Sequence, residues 1–360
     1  MLQPRSGLSD PDLVGRYLYG CDVFANWDVH MGYDQRGLAE WFEANRTVTT
    51  KAPDFAPAQY SFAESLAIAA NSAPPEGAHD LRQQSQAHLE QAIARAPDSP
   101  DGPATKAALL PNTRWGERER LLRQAVAKAP DWPIGNLWLG TLLVSTGQVK
   151  DGLAFTHKVA NGYDWGISDA LLSCLGDRPE QAVEQIVRYR ALVPDSLFAQ
   201  DAHLMCLEAM GRWEEAQRLL GVLPQIPSPY RGEAVEAFLV AAQSRALGDI
   251  QRARRLALAN ADGGPAALAA SISLLSALGR IDDASALAQR FDPNSTQDAT
   301  VFMFSSLMRN MRRDPRFVRL AARIGLVDYW RKSGHWPDFC AEPSLPYDCR
   351  VEAAKYGEQR

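Results

Sequence analysis

Apolar residues recur along the chain with the 3.6-residue period of helices, in blocks of about a dozen residues, and the blocks are punctuated at a regular interval. Gly147, Gly176, Gly211, Gly248 and Gly279 follow one another at spacings of 29, 35, 37 and 31 residues, a mean of 33. Each closes an apolar block and is followed by a polar or acidic opening such as Arg212-Trp213-Glu214-Glu215-Ala216 or Arg280-Ile281-Asp282-Asp283-Ala284. A glycine can take the left-handed conformation that ends a helix without a Cβ penalty. A second marker, Ala52-Pro53-Asp54, Ala96-Pro97-Asp98, Ala129-Pro130-Asp131 and Val193-Pro194-Asp195, recurs at 44, 33 and 64 residues. Proline stops the preceding helix, and aspartate suits the start of the next. A period near 33 built this way predicts helix–turn–helix units stacked side by side. The pairs include 10–29 with 34–49, 132–145 with 149–160, 195–210 with 212–222, and 229–247 with 249–260. A longer helix is expected at 298–311 and a stiff connector at 223–229.

The pattern resembles the tetratricopeptide (TPR) repeat. Gly140 fits its small eighth position, Ala216, Ala253 and Ala284 fit its twentieth, and Pro53, Pro97, Pro130 and Pro194 fit its closing proline. The tryptophan near the start of each repeat is mostly missing, so the units are TPR-like. The resemblance implies an all-α, right-handed solenoid of about eight or nine helix pairs over residues 1–313, closed by a cap and tail at 314–360. Phe317, Leu320, Ile324, Leu326, Tyr329, Trp330, Trp336 and Phe339 supply the large apolar area that a final repeat needs to cover its open face.

Composition narrows the function classes. The 360 residues carry 38 Lys+Arg against 43 Asp+Glu, a formal charge of −5, so no positive field is available to hold a nucleic-acid backbone. Apolar runs such as Ala266–Ala270 fall far short of the 18 or so residues of a membrane span. The stretch Met1–Ser9 contains Arg5 but no following apolar run, so no secretory leader is expected.

The stretch from Asp314-Pro315-Arg316-Phe317 through Gly325-Leu326 and Tyr329-Trp330 to Gly334-His335-Trp336-Pro337-Asp338-Phe339-Cys340 resembles the closing segment of bacterial regulators. Those proteins join a winged-helix DNA-binding domain, often through one membrane span, to a TPR-like region. The resemblance is strong over 314–349 and looser over the repeats, with residues 10–60 similar to the first unit of such regulators. It implies a sensory region acting in transcription regulation and signal transduction, periplasmic in membrane-anchored members and cytoplasmic in others. No winged helix precedes residue 10, so DNA binding transfers to no residue here.

Candidate chemistry is sparse. There is no Gly-x-Ser-x-Gly, His-Glu-x-x-His, P-loop or Gly-x-Gly-x-x-Gly, so no catalytic residue and no cofactor are expected. Cys174 and Cys206 read as small buried hydrophobes. Cys340 and Cys349 flank a loop with Pro343 and Pro346 and are a candidate disulfide. Neither His335 beside that pair nor Asp28 with His30 completes a metal set. Arg309, Arg312, Arg313, Arg316, Arg319 and Arg323 read as a solvated outer face, with an anion site as the sharper alternative. The first helix of each TPR-like pair should line a concave groove. Counting from the turn glycines places Leu137, Thr141, Phe198, Asp201, Met205, Phe238 and Arg245 there, with Tyr60 and Glu64 from the first unit. Such a mixed apolar and acidic groove suits a protein or peptide segment. A small-ligand receptor, an enzyme with its site in the groove, and a free-standing adaptor are the alternatives. Oligomeric state is left open.

Overall fold

The computed structural model describes residues 8–25, 36–73, 75–159, 165–174, 178–224, 228, 230–292 and 300–356. Among them are twenty α-helices and no strand, and no helix is long and apolar enough to cross a membrane. Asp28, His30, Gly176 and most of the 223–229 connector lie outside the described residues. The chain divides into two compact units: Met1–Leu139 with Lys158–Gly166 and Asp195–Leu197, and Gly140–His157 with Ile167–Pro194 and Phe198–Arg360.

In the first unit, α1 (Pro11–Ala25) pairs with α2 (Arg36–Lys51), α3 (Ala56–Ser72) with α4 (Pro75–Arg95), and α5 (Asp101–Leu109) with α6 (Trp115–Lys128). Phe24 stacks on Trp41 at 4.4 Å between ring centres, and Val23 packs against them. The closing prolines reveal a device that recurs. The amide of Gln59 donates to the carbonyl of Pro53 at 2.8 Å, and that of Asn136 to Pro130 at 2.7 Å. In the second unit Gln200 donates to Pro194 at 2.7 Å. Each amide stands six residues after its proline and gives a donor to a turn carbonyl two residues past a helix end.

The second unit takes in much of α7 (Pro133–Ser145), then α8 (Val149–Thr156), α9 (Trp165–Ser173), α10 (Pro179–Leu192), α11 (Leu197–Ala209) and α12 (Trp213–Val222). It continues with α13 (Glu233–Ser244), α14 (Leu247–Asn260), α15 (Pro265–Ala277) and α16 (Ile281–Ala288). Gly140 on α7 meets Gly152 on α8 so closely that a Cβ at either would lie 2.6–2.7 Å from the other's carbonyl oxygen. The equivalent positions Ala216, Ala253 and Ala284 are buried. Small residues at the crossing and positive φ at Gly147, Gly211 and Gly279 make these pairs TPR-like.

Three expectations change. α13 ends at Ser244, and Arg245 takes the left-handed conformation (φ 53°) assigned to Gly248, which lies inside α14. Instead of one helix at 298–311 there are two 3-10 turns, Val301–Phe304 and Ser306–Met308, and a short α17 (Arg309–Arg312). Ser305 between them is extended, and its carbonyl and that of Met303 both accept from the Arg312 guanidinium, the Ser305 carbonyl also from the amide of Met308. Finally, Cys174 and Cys206 are joined in a disulfide inside a core of Ile167, Ala170, Ile186, Ala199 and Ala202.

The closing segment continues through α18 (Arg316–Arg323), α19 (Leu326–Ser333), a 3-10 turn (Asp338–Ala341) and α20 (Cys349–Ala353). Cys340 and Cys349 are bonded to each other. The segment covers α16 and also reaches back to the start of its unit. Thr300 Oγ1 donates to Ser145 O at 2.9 Å, Ser306 Oγ to Ala209 O at 2.6 Å, and Asn310 Nδ2 to Ser276 O at 3.0 Å. These acceptors lie at the C-terminal ends of α7, α11 and α15, where helix carbonyls have no intrahelical donor. The arginine run is not a uniform solvated face either. Arg312 is buried, Arg316 pairs with Asp314 and Asp282 at 2.8 Å, and Arg323 donates to Ala288 O and Phe291 O.

Candidate partner-binding surface

The residues assigned to the groove fall into three groups. Tyr60, Leu137 and Phe238 are core. Tyr60 is buried and its hydroxyl donates to Ala96 O at 2.8 Å, while Leu137 is buried on α7. Phe238 is 1% exposed and meets Trp213 edge-on at 5.5 Å. On α13 the buried positions occupy most of the circumference, because α12, α14 and α15 all pack on it. Periodicity alone does not distinguish such a helix from one with an open inner face.

The second group is polar and internally engaged. Arg231, itself buried, donates from Nε to Asp201 Oδ1 at 2.5 Å, from Nη2 to Gln200 Oε1 at 3.1 Å and from Nη1 to Pro224 O at 3.2 Å. Ser228 Oγ donates to Asp201 Oδ2 at 3.0 Å. Ser228 and Arg231 therefore engage the acidic side of α11, and Asp201 is already partnered. Burial lifts Asp201 above the usual carboxylate range against the pull of Arg231 and Ser228. One turn further from Met205, Glu208 is enclosed with Oε1 lacking a hydrogen-bond partner. Burial and the nearby Asp201 push its carboxyl up to about 8. His203 is held down to about 4 by burial and by Arg190, whose Nη1 donates to its Nδ1 at 2.7 Å. Glu64 in the first unit also has an enclosed, unpartnered Oε1, and burial with the charge of Asp101 holds it well above the usual range.

The third group is accessible. Phe198 is 39% exposed, Met205 and Thr141 are half-buried, and Arg245 stands exposed at the α13–α14 turn. Phe198 and Met205 are seven residues apart, so they share a face of α11 two turns apart. An aromatic ring and a thioether at that spacing form a small apolar foothold beside the Asp201–Arg231 pair. Periodicity missed the ion pair, because Arg231 lies thirty residues beyond Asp201 across a proline-rich connector.

No family model matches the chain, and no curated protein matches it. Among solved structures, a chain from the structure of Naa15/Naa10 bound to HypK-THB is similar at 13% identity and a TM-score of 0.27. The match covers 95% of this chain, which spans 66% of that one. The Gly140–Gly152 crossing and the positive-φ glycine turns make the fold of the helix pairs TPR-like.

Proposed function

We propose that the chain is a non-enzymatic protein-interaction module, the regulatory TPR-like region of a bacterial winged-helix transcription regulator, which takes a protein segment on the Phe198–Met205 face of α11. The burial pattern of the closing segment carries this reading. The residues behind its resemblance to those regulators, Phe317, Tyr329, Trp330 and Phe339, are buried together against the helix pairs. The closing segment is thereby part of the second compact unit. The two disulfides favour an oxidising compartment, in line with the periplasmic placement of membrane-anchored members.

The double variant Phe198→Ala/Met205→Ala tests the surface. Both side chains are accessible, so helicity by circular dichroism should be unchanged while affinity for the captured partner drops at least tenfold, the loss typical of an aromatic anchor. Unchanged affinity removes the α11 face from the proposal. A winged helix encoded upstream in the same reading frame supports the regulator context. A tightly held metabolite or metal in native mass spectra would favour the receptor or enzyme alternatives.

A further inference from the structure

An open cavity of about 600 Å³ lies within the second unit between α8 and the closing segment. Lys150 and His157 reach it from one face of α8 and the turn after it, Arg178 from the start of α10, and Arg312, Asp338 and Glu342 from the closing segment. Phe304 and Phe339 add apolar wall.

Arg312 is the unusual member. It is only 8% exposed, yet it makes no ion pair among the described residues. Nη1 donates to Met303 O and Ser305 O at 3.0 and 2.6 Å, and the guanidinium carbon sits 5.8 Å from the centre of the Phe339 ring. Nε and Nη2 donate to no acceptor among the described residues, although Arg312 lines an open space. A buried guanidinium is normally matched by a carboxylate, since an uncompensated charge is costly to desolvate. Burial depresses Arg312 to about 10, in keeping with that missing partner. Of the two acids in the wall, Asp338 accepts from the backbone amide of Lys150 at 2.9 Å, at the start of α8. Glu342 influences Arg312 electrostatically but forms no ion pair with it.

We propose that this cavity binds a small organic carboxylate, gripped side-on by Nε and Nη2 of Arg312, with its apolar body against Phe304 and Phe339. The Nε–Nη2 edge of a guanidinium offers two parallel donors that match a carboxylate's two oxygens. Lys150 and Arg178 add positive potential in the wall, and the volume is that of an ordinary small-molecule pocket. The site stands apart from the α11 face and does not depend on the partner-binding proposal.

The experiment titrates the full chain with 4-fluorobenzoate, observed by fluorine NMR, beside the neutral isostere 4-fluorobenzamide and a short acetylated peptide ending in phenylalanine with a free carboxylate. Fluorobenzoate should bind and the amide should be at least tenfold weaker. Arg312→Lys keeps the charge but loses the paired donors, and should weaken fluorobenzoate at least tenfold. Because Arg312 also holds two carbonyls, Glu342→Gln provides a variant with the site intact; removing its negative charge should tighten fluorobenzoate about threefold or more. Equal binding of acid and amide, or an affinity unchanged in Glu342→Gln, overturns the proposal. Binding of the peptide without fluorobenzoate also overturns it, in favour of a protein terminus as the occupant.

Discussion

Trp330 Nε1 donates to the carbonyl oxygen of Thr146 at 2.8 Å, joining residues 184 positions apart. Beside this bond, Gln148 Nε2 donates to the Tyr329 hydroxyl at 2.7 Å and the Asp338 amide to Gly147 O at 2.9 Å. A Cβ on Gly147 would lie 2.4 Å from Pro337 and 2.6 Å from Phe304. The α7–α8 turn is thus built around the closing segment, and the unit is fastened at its two ends by one contiguous contact.

The Trp330–Thr146 bond can be separated from the packing of the ring. Trp330→Phe keeps much of the apolar burial but leaves Thr146 O without its donor, and should cost about 1–3 kcal/mol. Trp330→Ala also opens a cavity and should cost about 3–5 kcal/mol. Urea unfolding measures both. A Phe variant as stable as the parent would show that the bond does not fasten the segment.

The α13–α14 turn gives a prediction of sign. Arg245 holds φ at 53°, a conformation that costs a side-chain-bearing residue roughly 1–2 kcal/mol. Arg245→Gly should therefore stabilise by about 0.5–1 kcal/mol after allowing for the added freedom of glycine in the unfolded chain. Gly248 lies in the first turn of α14 with open space at its Cβ, so Gly248→Ala should also stabilise, by about 0.5–1 kcal/mol. If the turn were at Gly248, the alanine would instead destabilise, so the direction of the melting shift decides the register.

That register slip marks the limit of what the chain's pattern reveals. The helix pairs and the turns at Gly147, Gly211 and Gly279 follow from local chemistry, which a 33-residue period displays directly. At Gly248 the glycine is close to the turn but three residues late, and only the helix end itself shows that Arg245 bears the strain. The α11 surface was partly legible. Phe198 and Met205 are accessible on α11, but counting from the turn glycine says nothing of Ser228 and Arg231, which return to engage Asp201. The amide six residues after Pro53, Pro130 and Pro194 is a signal present in the sequence that goes unnoticed until its hydrogen bond is seen. Contacts across almost two hundred residues, such as Trp330 with Thr146, leave no periodic trace.

Glu208 makes stability depend on pH. In the folded chain it keeps its proton up to about pH 8, against an ordinary value of 4.5. Between those values the folded state binds more protons than the unfolded state, so this contribution is fully retained below about pH 4.5 and is lost as pH rises through 8. The loss amounts to at most about 5 kcal/mol by pH 9. Glu208→Gln, which cannot ionise, should match the parent near pH 5 and exceed it by at least about 2 kcal/mol at pH 9. Parallel pH profiles of the two proteins in denaturant melts would place the carboxyl in solvent instead.

The Cys174–Cys206 bond yields the last prediction, and the repeat period explains it. The two cysteines are 32 residues apart, close to one repeat, so they occupy similar places near the C-terminal ends of successive first helices, Cys174 just past the end of α9 and Cys206 in the last turn of α11. Adjacent repeats bring such positions side by side; here the Cα atoms are 5.5 Å apart. Closing a loop of that length should contribute roughly 3–4 kcal/mol in the chain-entropy model, against about 2–3 kcal/mol for the shorter Cys340–Cys349 loop. Cys174→Ala/Cys206→Ala should therefore lower the melting temperature under oxidising conditions by more than Cys340→Ala/Cys349→Ala does. Under dithiothreitol the parent should fall toward the level of the four-alanine variant. If reductant leaves the parent's melt unchanged while mass spectrometry shows all four thiols free, neither bridge contributes to stability, and the case for an oxidising compartment goes with them.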